Sequence, residues 1–347
     1  MIIRAFITHK KAEKFADCQD RFGVNVDTKS LAVSDGMGSS WQQKFWAQIL
    51  VDAFTKSRDW LPTHETIKPL CSEWRDMVEN SINHLKETNA PKNIIFRNER
   101  NLAEGRSAGA TFVGIRFSSN EWSGSVLGDS CLIEWDGKEA IFHTSQDGEE
   151  FDSYPDYFDS NETRTGKGEP LSINGTLSKE TYLILVSDPF SDFLLEKKKE
   201  DNIALYMKQI LSINTHDEFE RLVDDWRTEG MHNDDSTLVI VENDKKGDFD
   251  VFHEDDIEEL KELDEHPKVE PQQKPISEAS KEETIANTGN QSLMNEDEKD
   301  FVKELREWLE NSLKRVKISN SRIKEFLKMF FDKSICKIIE RYKITKR

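Results

Sequence analysis

Alternating and periodic apolar positions divide the first 245 residues into strands and helices. Residues 2–8 and 30–35 are short, β-rich runs bounded by polar or glycine-containing turns, which is typical of strands in a packed sheet. Apolar residues recur on one helical face in the stretches 41–57 and 66–88. We therefore expect two early strands, followed by two long amphipathic helices that cover a sheet.

Between Ser107 and His143 the pattern returns to strands. The runs GATFVGIRF, EWSGSVLGD, CLIEWDG and KEAIFH are separated by turn-forming residues. This spacing predicts a meander, and therefore a largely antiparallel sheet. Residues 145–178 are polar and have no clear period, so we interpret them as a long loop.

The last part of this region adds an apolar strand at 182–188, helical patterns over 190–229 and a closing strand at 236–242. This order of elements is found in folds whose helices lie outside packed sheets. The sequence predicts an α+β fold, a β-sandwich of largely antiparallel sheets flanked by α-helices, over residues 1–245.

The composition changes abruptly after residue 245. Residues 246–296 are acidic and contain prolines but few bulky apolar residues, which predicts a disordered linker. The helical period returns over 297–347, and residues 311–347 hold twelve Lys and Arg against three Asp and Glu. We predict a basic, amphipathic helical tail. This pattern fits four alternatives: docking to a protein partner, self-association, binding to an anionic membrane surface, or a small appended bundle.

Charge and cysteine content narrow the functional class. The chain has 48 Lys and Arg against 67 Asp and Glu, a net charge of −19 that argues against a nucleic-acid partner. Its four cysteines are scattered without a CxxC pair, which favours a reducing, cytoplasmic setting without structural zinc. No apolar run approaches 18 residues, so no transmembrane segment is predicted.

Four aspartates stand at the ends of β-rich runs, beside turns of small residues. They are Asp35 in VSDGMG, Asp129 in VLGDS, Asp188 in LVSDPFSD and Asp234 in HNDDST. Taken singly, each is most simply a turn former, because aspartate commonly follows a strand. Their combination, in this order and with these flanking residues, is far more specific.

Together these motifs resemble the protein phosphatase 2C (PP2C or PPM) family of metal-dependent serine/threonine phosphatases, over residues 1–245. The strand GATFV at 109–113 and the phrase ADCQD, which contains Asp20, extend the resemblance. The metal ligands that it implies are Asp35, the carbonyl of Gly36, Asp129, Asp188 and Asp234. It implies that Asp129 and Asp188 form the pair for a third ion, and that Asp20 binds metal-bound water.

The implied cofactor is a pair of Mn²⁺ or Mg²⁺ ions, with a third as an option. These hard cations prefer octahedral oxygen coordination and keep several waters, so a few carboxylates and a carbonyl suffice. Two such ions roughly 3.5–4 Å apart activate a bridging water for in-line attack on phosphorus. The resemblance further implies a phosphorylated protein substrate and a cognate serine/threonine kinase. The sequence contains no Cys-x5-Arg loop, so no thiol nucleophile is predicted.

Three positions depart from the family pattern. Where the family has an arginine that holds the substrate phosphate, this chain has Phe15; Lys14, Arg21 or Arg106 are possible substitutes. Met37 replaces the histidine of many eukaryotic members, and Pro189 replaces the usual glycine. Proline favours the first turn of a helix, so the preceding ligand is expected to be undisturbed.

The departures leave two alternatives to a protein phosphatase. One is a pseudophosphatase that uses the fold as a binding or regulatory module, motivated by Phe15 and Pro189. The other is a phosphatase of a small phosphorylated metabolite, because the phosphate chemistry is the same. The survival of the predicted metal-binding acids favours an active enzyme.

Overall fold

The structure, a computed structural model, describes residues 1–146, 154–164, 166–243 and 249–254. Its strands are β1 (Ile2–Thr8), β2 (Arg21–Asn25), β3 (Ser30–Ser34), β4 (Gly109–Ala110), β5 (Phe112–Ser118), β6 (Glu121–Leu127), β7 (Cys131–Trp135), β8 (Ala140–His143), β9 (Phe158–Asp159), β10 (Leu171–Thr176), β11 (Tyr182–Val186), β12 (Ser236–Glu242) and β13 (Asp250–Glu254). Its α-helices are α1 (Gln43–Lys56), α2 (Leu70–Glu87), α3 (Lys92–Ala103), α4 (Asp188–Lys199), α5 (Ile203–Ser212) and α6 (His216–Thr228).

The strands build two main sheets. One, the first sheet, has the order β13-β1-β12-β11-β7-β8, and the other, the second sheet, has the order β10-β6-β5-β3-β2. Neighbouring strands pair antiparallel except β1 and β13, which are parallel. A short ladder of β4 and β9 stands apart. The expected α+β sandwich of largely antiparallel sheets is confirmed.

Alternation along the strands explains why the two sheets pack face to face. In β1, Ile3 and Ile7 point into a central core, while Phe6 between them points to the opposite face. The central core joins residues of both sheets, such as Val239 of the first and Ile115 of the second. The driving force is burial of apolar surface, worth roughly 25 cal/mol per Å².

Helices cover the outer face of each sheet. Phe6 of the first sheet packs in one core with residues of α4, α5 and α6, among them Trp226. On the second sheet, Phe112 packs in another core with residues of α1 and α2, among them Phe54, which meets Phe112 edge to face at 5.4 Å. The domain therefore has four layers, with helices outside two sheets. Within the described ranges, no helix combines the length and hydrophobicity needed to span a bilayer.

The pairing of the strands places several of their connections at one end of the sandwich. In the second sheet, the end of β3 lies opposite the beginning of β2, and the end of β6 lies opposite the beginning of β5. In the first sheet, the beginning of β12 lies between the ends of β1 and β11. The three-residue connection from β6 to β7 crosses between the sheets at this same end, which we call the acidic end.

The predicted meander over 107–143 is corrected in one respect. Its strands are antiparallel, but β5 and β6 belong to the second sheet, whereas β7 and β8 belong to the first. The chain passes from the second sheet to the first at Gly128, whose φ of +96° is readily adopted only by glycine. A strand pattern alone does not reveal such a change of sheet, because it does not record which strands pair with each other.

Segments with weak apolar periodicity were predicted least well. The expected long loop at 145–178 contains β9 and the edge strand β10, whose side chains are mostly exposed. Helix α3 was not predicted, since Asn98 is its one buried residue. Strand β13 follows the predicted boundary at 245 and pairs with β1. The rest of the linker and the tail at 297–347 lie outside the described residues.

Candidate metal and phosphate site

The predicted metal-binding aspartates come together at the acidic end. Asp35 follows β3, and Asp129 lies in the connection from β6 to β7. Asp188 follows β11 as the first residue of α4, and Asp234 lies two residues before β12. Asp20 directly precedes β2. Strand ends in both sheets therefore supply the five carboxylates that the sequence singled out.

Asp20 is the most deeply buried of these acids. Its side chain is fully buried, and the Thr237 hydroxyl donates a hydrogen bond of 2.7 Å to its Oδ2. The other oxygen, Oδ1, is also buried, and no donor among the described residues reaches it. A buried carboxylate oxygen without a donor is costly, so this atom indicates a missing partner.

The Asp35–Gly36 backbone is fixed by the neighbouring strand. The Thr111 N–H donates to the Asp35 carbonyl at 2.9 Å, and the Asp35 N–H donates to the Thr111 hydroxyl at 3.3 Å. A Cβ on Gly36 would lie 2.8 Å from Cγ of Gln43 and 3.1 Å from the carbonyl oxygen of Gln19. Only glycine therefore fits here without displacing its neighbours.

Asp129 and Asp188 are connected through one serine. The Ser191 hydroxyl donates to the Asp129 carbonyl at 2.7 Å and is 3.1 Å from the Asp188 carbonyl. Oδ1 of Asp129 is buried and has no donor among the described residues. Pro189 lies in the first turn of α4, where its missing N–H costs nothing. The helix thus begins at Asp188 despite the departure from the family pattern.

Asp234 and Asp235 form the side of the site that meets the β1–β2 loop. Oδ1 of Asp234 lies 2.9 Å from Nζ of Lys10, an ion pair. Asp235 is buried, and its two carboxylate oxygens accept the backbone N–H groups of Lys10 at 2.9 Å and Gln19 at 2.7 Å. Asp235 therefore holds both ends of residues 10–19 against the site.

Burial and mutual repulsion destabilise the ionised form of these acids. Burial, with the charge of Asp129 next, raises the pKa of Asp35 to about 7. Burial, with the nearby charge of Asp192, raises the pKa of Asp129 to about 7. Burial and the charges of neighbouring aspartates also hold the pKa values of Asp20 and Asp188 well above their usual range. The charges of these carboxylates are therefore not balanced by nearby positive charge.

The donor set fits Mg²⁺ or Mn²⁺. The acidic end offers carboxylate and carbonyl oxygens, and the buried Oδ1 atoms of Asp20 and Asp129 have no donor among the described residues. Across that same part of the chain, no three Asp, Glu, His or Cys side chains are grouped so as to hold one ion. That agrees with ions that use one or two carboxylates each and keep several waters.

Among the contacts of the described residues, the three cations predicted as phosphate ligands form no ion pair with these carboxylates. Lys14 is exposed. The Arg21 guanidinium donates to the backbone carbonyls of Cys18, at 3.0 Å, and of Asp20. Arg106 is exposed over 61% of its side chain and lies 3.8 Å from Glu104. Sequence reasoning did not single out Lys10, although it lies beside Lys11 in a loop that the family resemblance already placed near the site.

A comparison with protein-family models decides the family. The model of protein phosphatase 2C matches residues 9–226, well over half of the chain. The chain belongs to the protein phosphatase 2C family. Membership confirms the family expected from the aspartate motifs, and with it the enzyme class, a protein serine/threonine phosphatase. No curated protein sequence matches the chain.

A comparison with solved structures finds phosphatases that are similar to this chain at low sequence identity and low TM-score. PppA, a key regulatory component of T6SS in Pseudomonas aeruginosa, is 16% identical with a TM-score of 0.44, over 69% of this chain and 96% of its own. The serine/threonine phosphatase Stp1 from Staphylococcus aureus is 14% identical with a TM-score of 0.43, over 70% and 94%. The catalytic domain of PstP, in complex with 2 manganese ions, is 14% identical with a TM-score of 0.40, over 69% and 96%.

Proposed function

We propose that the chain hydrolyses phosphoserine and phosphothreonine in proteins with the help of two Mn²⁺ or Mg²⁺ ions. The observation that carries the proposal is the convergence of Asp20, Asp35, Asp129 and Asp188 at one end of the sandwich. Two of these acids have buried oxygens that no described donor reaches. When bound, the ions supply a water that is nucleophilic near neutral pH and offset the charge of the phosphoryl oxygens.

The roles of the residues are those that the family resemblance implies. Asp35, the Gly36 carbonyl, Asp188 and Asp234 would hold the two ions, and Asp129 would join Asp188 in holding an optional third ion. Asp20 accepts a hydrogen bond from water at the site, because its Oδ2 is already satisfied by Thr237 while its Oδ1 is not. A fixed carboxylate of this kind orients a nucleophile without reorganisation during the reaction.

The test is phosphate release from a phosphothreonine peptide. We expect release by the purified chain with Mn²⁺, and its loss with excess EDTA or in the Asp35→Asn variant. Folding of the variant is checked by circular dichroism, so that loss of activity reports on the site. Release that persists in EDTA would refute the proposal.

A pseudophosphatase is the second candidate function. Phe15, at the position of the family's phosphate-binding arginine, is only 3% exposed and packs into the central core. It cannot contribute a charge to the site. This candidate predicts stoichiometric Mn²⁺ binding without turnover of phosphopeptides or small phosphate esters. Turnover of small esters but not of phosphopeptides would favour the metabolite phosphatase instead.

We also propose separate roles for three parts of the chain. The phosphatase domain ends after β13, an acidic linker follows, and the basic tail at 297–347 docks a protein partner or self-associates. A cognate kinase that phosphorylates the substrate is implied by the reaction. A cytoplasmic location is supported by Cys18, Cys71 and Cys131, which are buried and free of disulfides.

A further inference from the structure

The family's phosphate-binding arginine has no counterpart at Phe15, so a cation elsewhere must meet the substrate. The incoming phosphoryl group is a dianion that approaches a cluster of carboxylates, and without a nearby positive side chain the approach is opposed by repulsion. Lys14 is exposed, and the Arg21 guanidinium is occupied by two backbone carbonyls. Neither makes contact with a predicted metal-binding carboxylate through a hydrogen bond or ion pair given by the structure.

Lys10 does make that contact. Its Nζ lies 2.9 Å from Oδ1 of Asp234, and its side chain is 20% exposed, so it is largely sheltered from solvent. From this geometry we propose that Lys10 binds the substrate phosphoryl group in place of the missing arginine. The inference rests on the proposed phosphatase function and assigns its phosphate-binding residue.

The backbone holds Lys10 in place. Its N–H donates to Oδ1 of Asp235 at 2.9 Å, and its carbonyl accepts the N–H of Glu13 at 3.1 Å. Next to it, the Lys11 N–H donates to Oδ1 of Asn233 at 2.8 Å. The beginning of the loop is thereby tied to the turn that carries Asp234. A lysine on a fixed backbone loses less freedom on binding than one on a free loop.

The charge of Lys10 is maintained. Its ammonium group forms an ion pair with the Asp234 carboxylate, and a lysine is ordinarily charged at neutral pH. When a cation neutralises Asp234, the ammonium group keeps three donors on a flexible four-carbon chain and is available to an anion in the same place.

A lysine differs from the arginine that it replaces. It offers a point charge without the bidentate fork of a guanidinium, so it holds a phosphate with less control of orientation. Charge-assisted hydrogen bonds are nevertheless among the stronger ones in proteins. Removing the Lys10 ammonium group is expected to weaken phosphate binding roughly ten- to hundredfold.

The test compares Lys10→Met with Lys10→Arg and with the control Lys11→Met, which removes the same charge from the neighbouring, 68% exposed position of the same loop. The readouts are kcat and KM for a phosphothreonine peptide, the inhibition constant of inorganic phosphate, and the Kd of Mn²⁺ by calorimetry. In Lys10→Met we expect KM and the phosphate inhibition constant to rise roughly tenfold or more. Lys10→Arg should recover most of this loss, and Lys11→Met should leave both constants within about twofold.

Two outcomes separate this inference from the proposed function. If the unmodified chain shows no metal-dependent turnover, the proposed function fails, and calorimetric binding of inorganic phosphate to the Mn²⁺-loaded protein still tests Lys10. Tenfold weaker phosphate binding by Lys10→Met supports the inference. Unchanged phosphate binding with altered Mn²⁺ affinity would overturn it, because Lys10 would then be only a counter-ion of Asp234.

Discussion

Replacing Asp35 by asparagine is expected to stabilise the metal-free protein while weakening its stabilisation by metal. Burial, followed by the charges of Asp129, Asp234 and Asp235, raises the pKa of Asp35 to about 7 from an ordinary value of 3.8, although a hydrogen bond with Asp20 acts in the opposite direction. Ionisation of Asp35 therefore opposes folding when no cation is present. Asparagine has the same shape and carries no charge, so the substitution removes the cause of the destabilisation.

The magnitude follows from the size of the pKa difference. A rise of about 3 units corresponds to about 4 kcal/mol at roughly 1.4 kcal/mol per unit, which is an upper bound. The neighbouring aspartates share the same repulsion, and they relax when one charge is lost. We therefore expect the metal-free variant to gain about 1–3 kcal/mol in free energy of unfolding at pH 8.

The pH dependence has a definite sign. Below about pH 3.8 the Asp35 carboxyl is protonated in both the folded and the unfolded chain, so it carries no penalty. As the pH rises from 3.8 to about 7, the unfolded chain releases this proton first, and the stability of the folded protein falls. The advantage of Asp35→Asn should thus grow over this window and level off above it.

Urea denaturation in EDTA, followed by tryptophan fluorescence at several pH values, measures the difference. A parallel series with Mn²⁺ at 100 times its Kd should raise the unfolding free energy of the unmodified protein by about 2.7 kcal/mol per independent site, with a smaller gain in Asp35→Asn. The reasoning fails if Asp35→Asn is less stable than the unmodified chain in EDTA at pH 8. In that case the carboxylate would be stabilised by a contact that outweighs burial and repulsion.

Three further substitutions probe the surroundings of the site. Thr237→Val leaves Asp20 without its hydroxyl donor and should lower the free energy of unfolding by about 1–3 kcal/mol, measured in urea; an unchanged stability would show that the bond contributes nothing. Gly36→Ala should cost about 1–3 kcal/mol through its close contacts, whereas Gly38→Ala, which meets one atom at 3.8 Å, should be near neutral in the same assay; equal effects would contradict the steric reasoning. Arg106→Met should leave KM for a phosphopeptide within about twofold, because its ion pair is exposed; a tenfold rise would assign phosphate binding to Arg106.

Strong periodicity and motif order made most of the fold predictable. The apolar runs that became β1, β3, β11 and β12 are buried, and their sequence patterns are those of strands covered on both faces. Asp35, Asp188 and Asp234 flank three of these strands, β3, β11 and β12, so the family resemblance pointed to residues that the register then brought together. Where local pattern, register and motif agree, sequence alone is sufficient.

The remaining elements depend on contacts that a sequence does not display. Strand β10 is an edge strand with exposed side chains, and β13 is added to the sheet by parallel pairing with β1. The role of Asp235 in holding the ends of the β1–β2 loop comes from backbone hydrogen bonds across more than 200 positions. Lys10 could have been suspected from the doublet of lysines after a strand, but its contact with Asp234 depends on the pairing of β1 with β12.

The most direct test of the central claim, that the acidic end is a two-metal centre, is the stoichiometry and magnetic coupling of bound Mn²⁺. Equilibrium dialysis followed by electron paramagnetic resonance should find two tightly bound Mn²⁺ ions per chain, with the exchange-coupled signal of ions roughly 3.5–4 Å apart. The coupled signal should disappear in Asp35→Asn. Absence of bound Mn²⁺ at millimolar concentration, or two magnetically isolated ions unaffected by Asp35→Asn, would contradict the account.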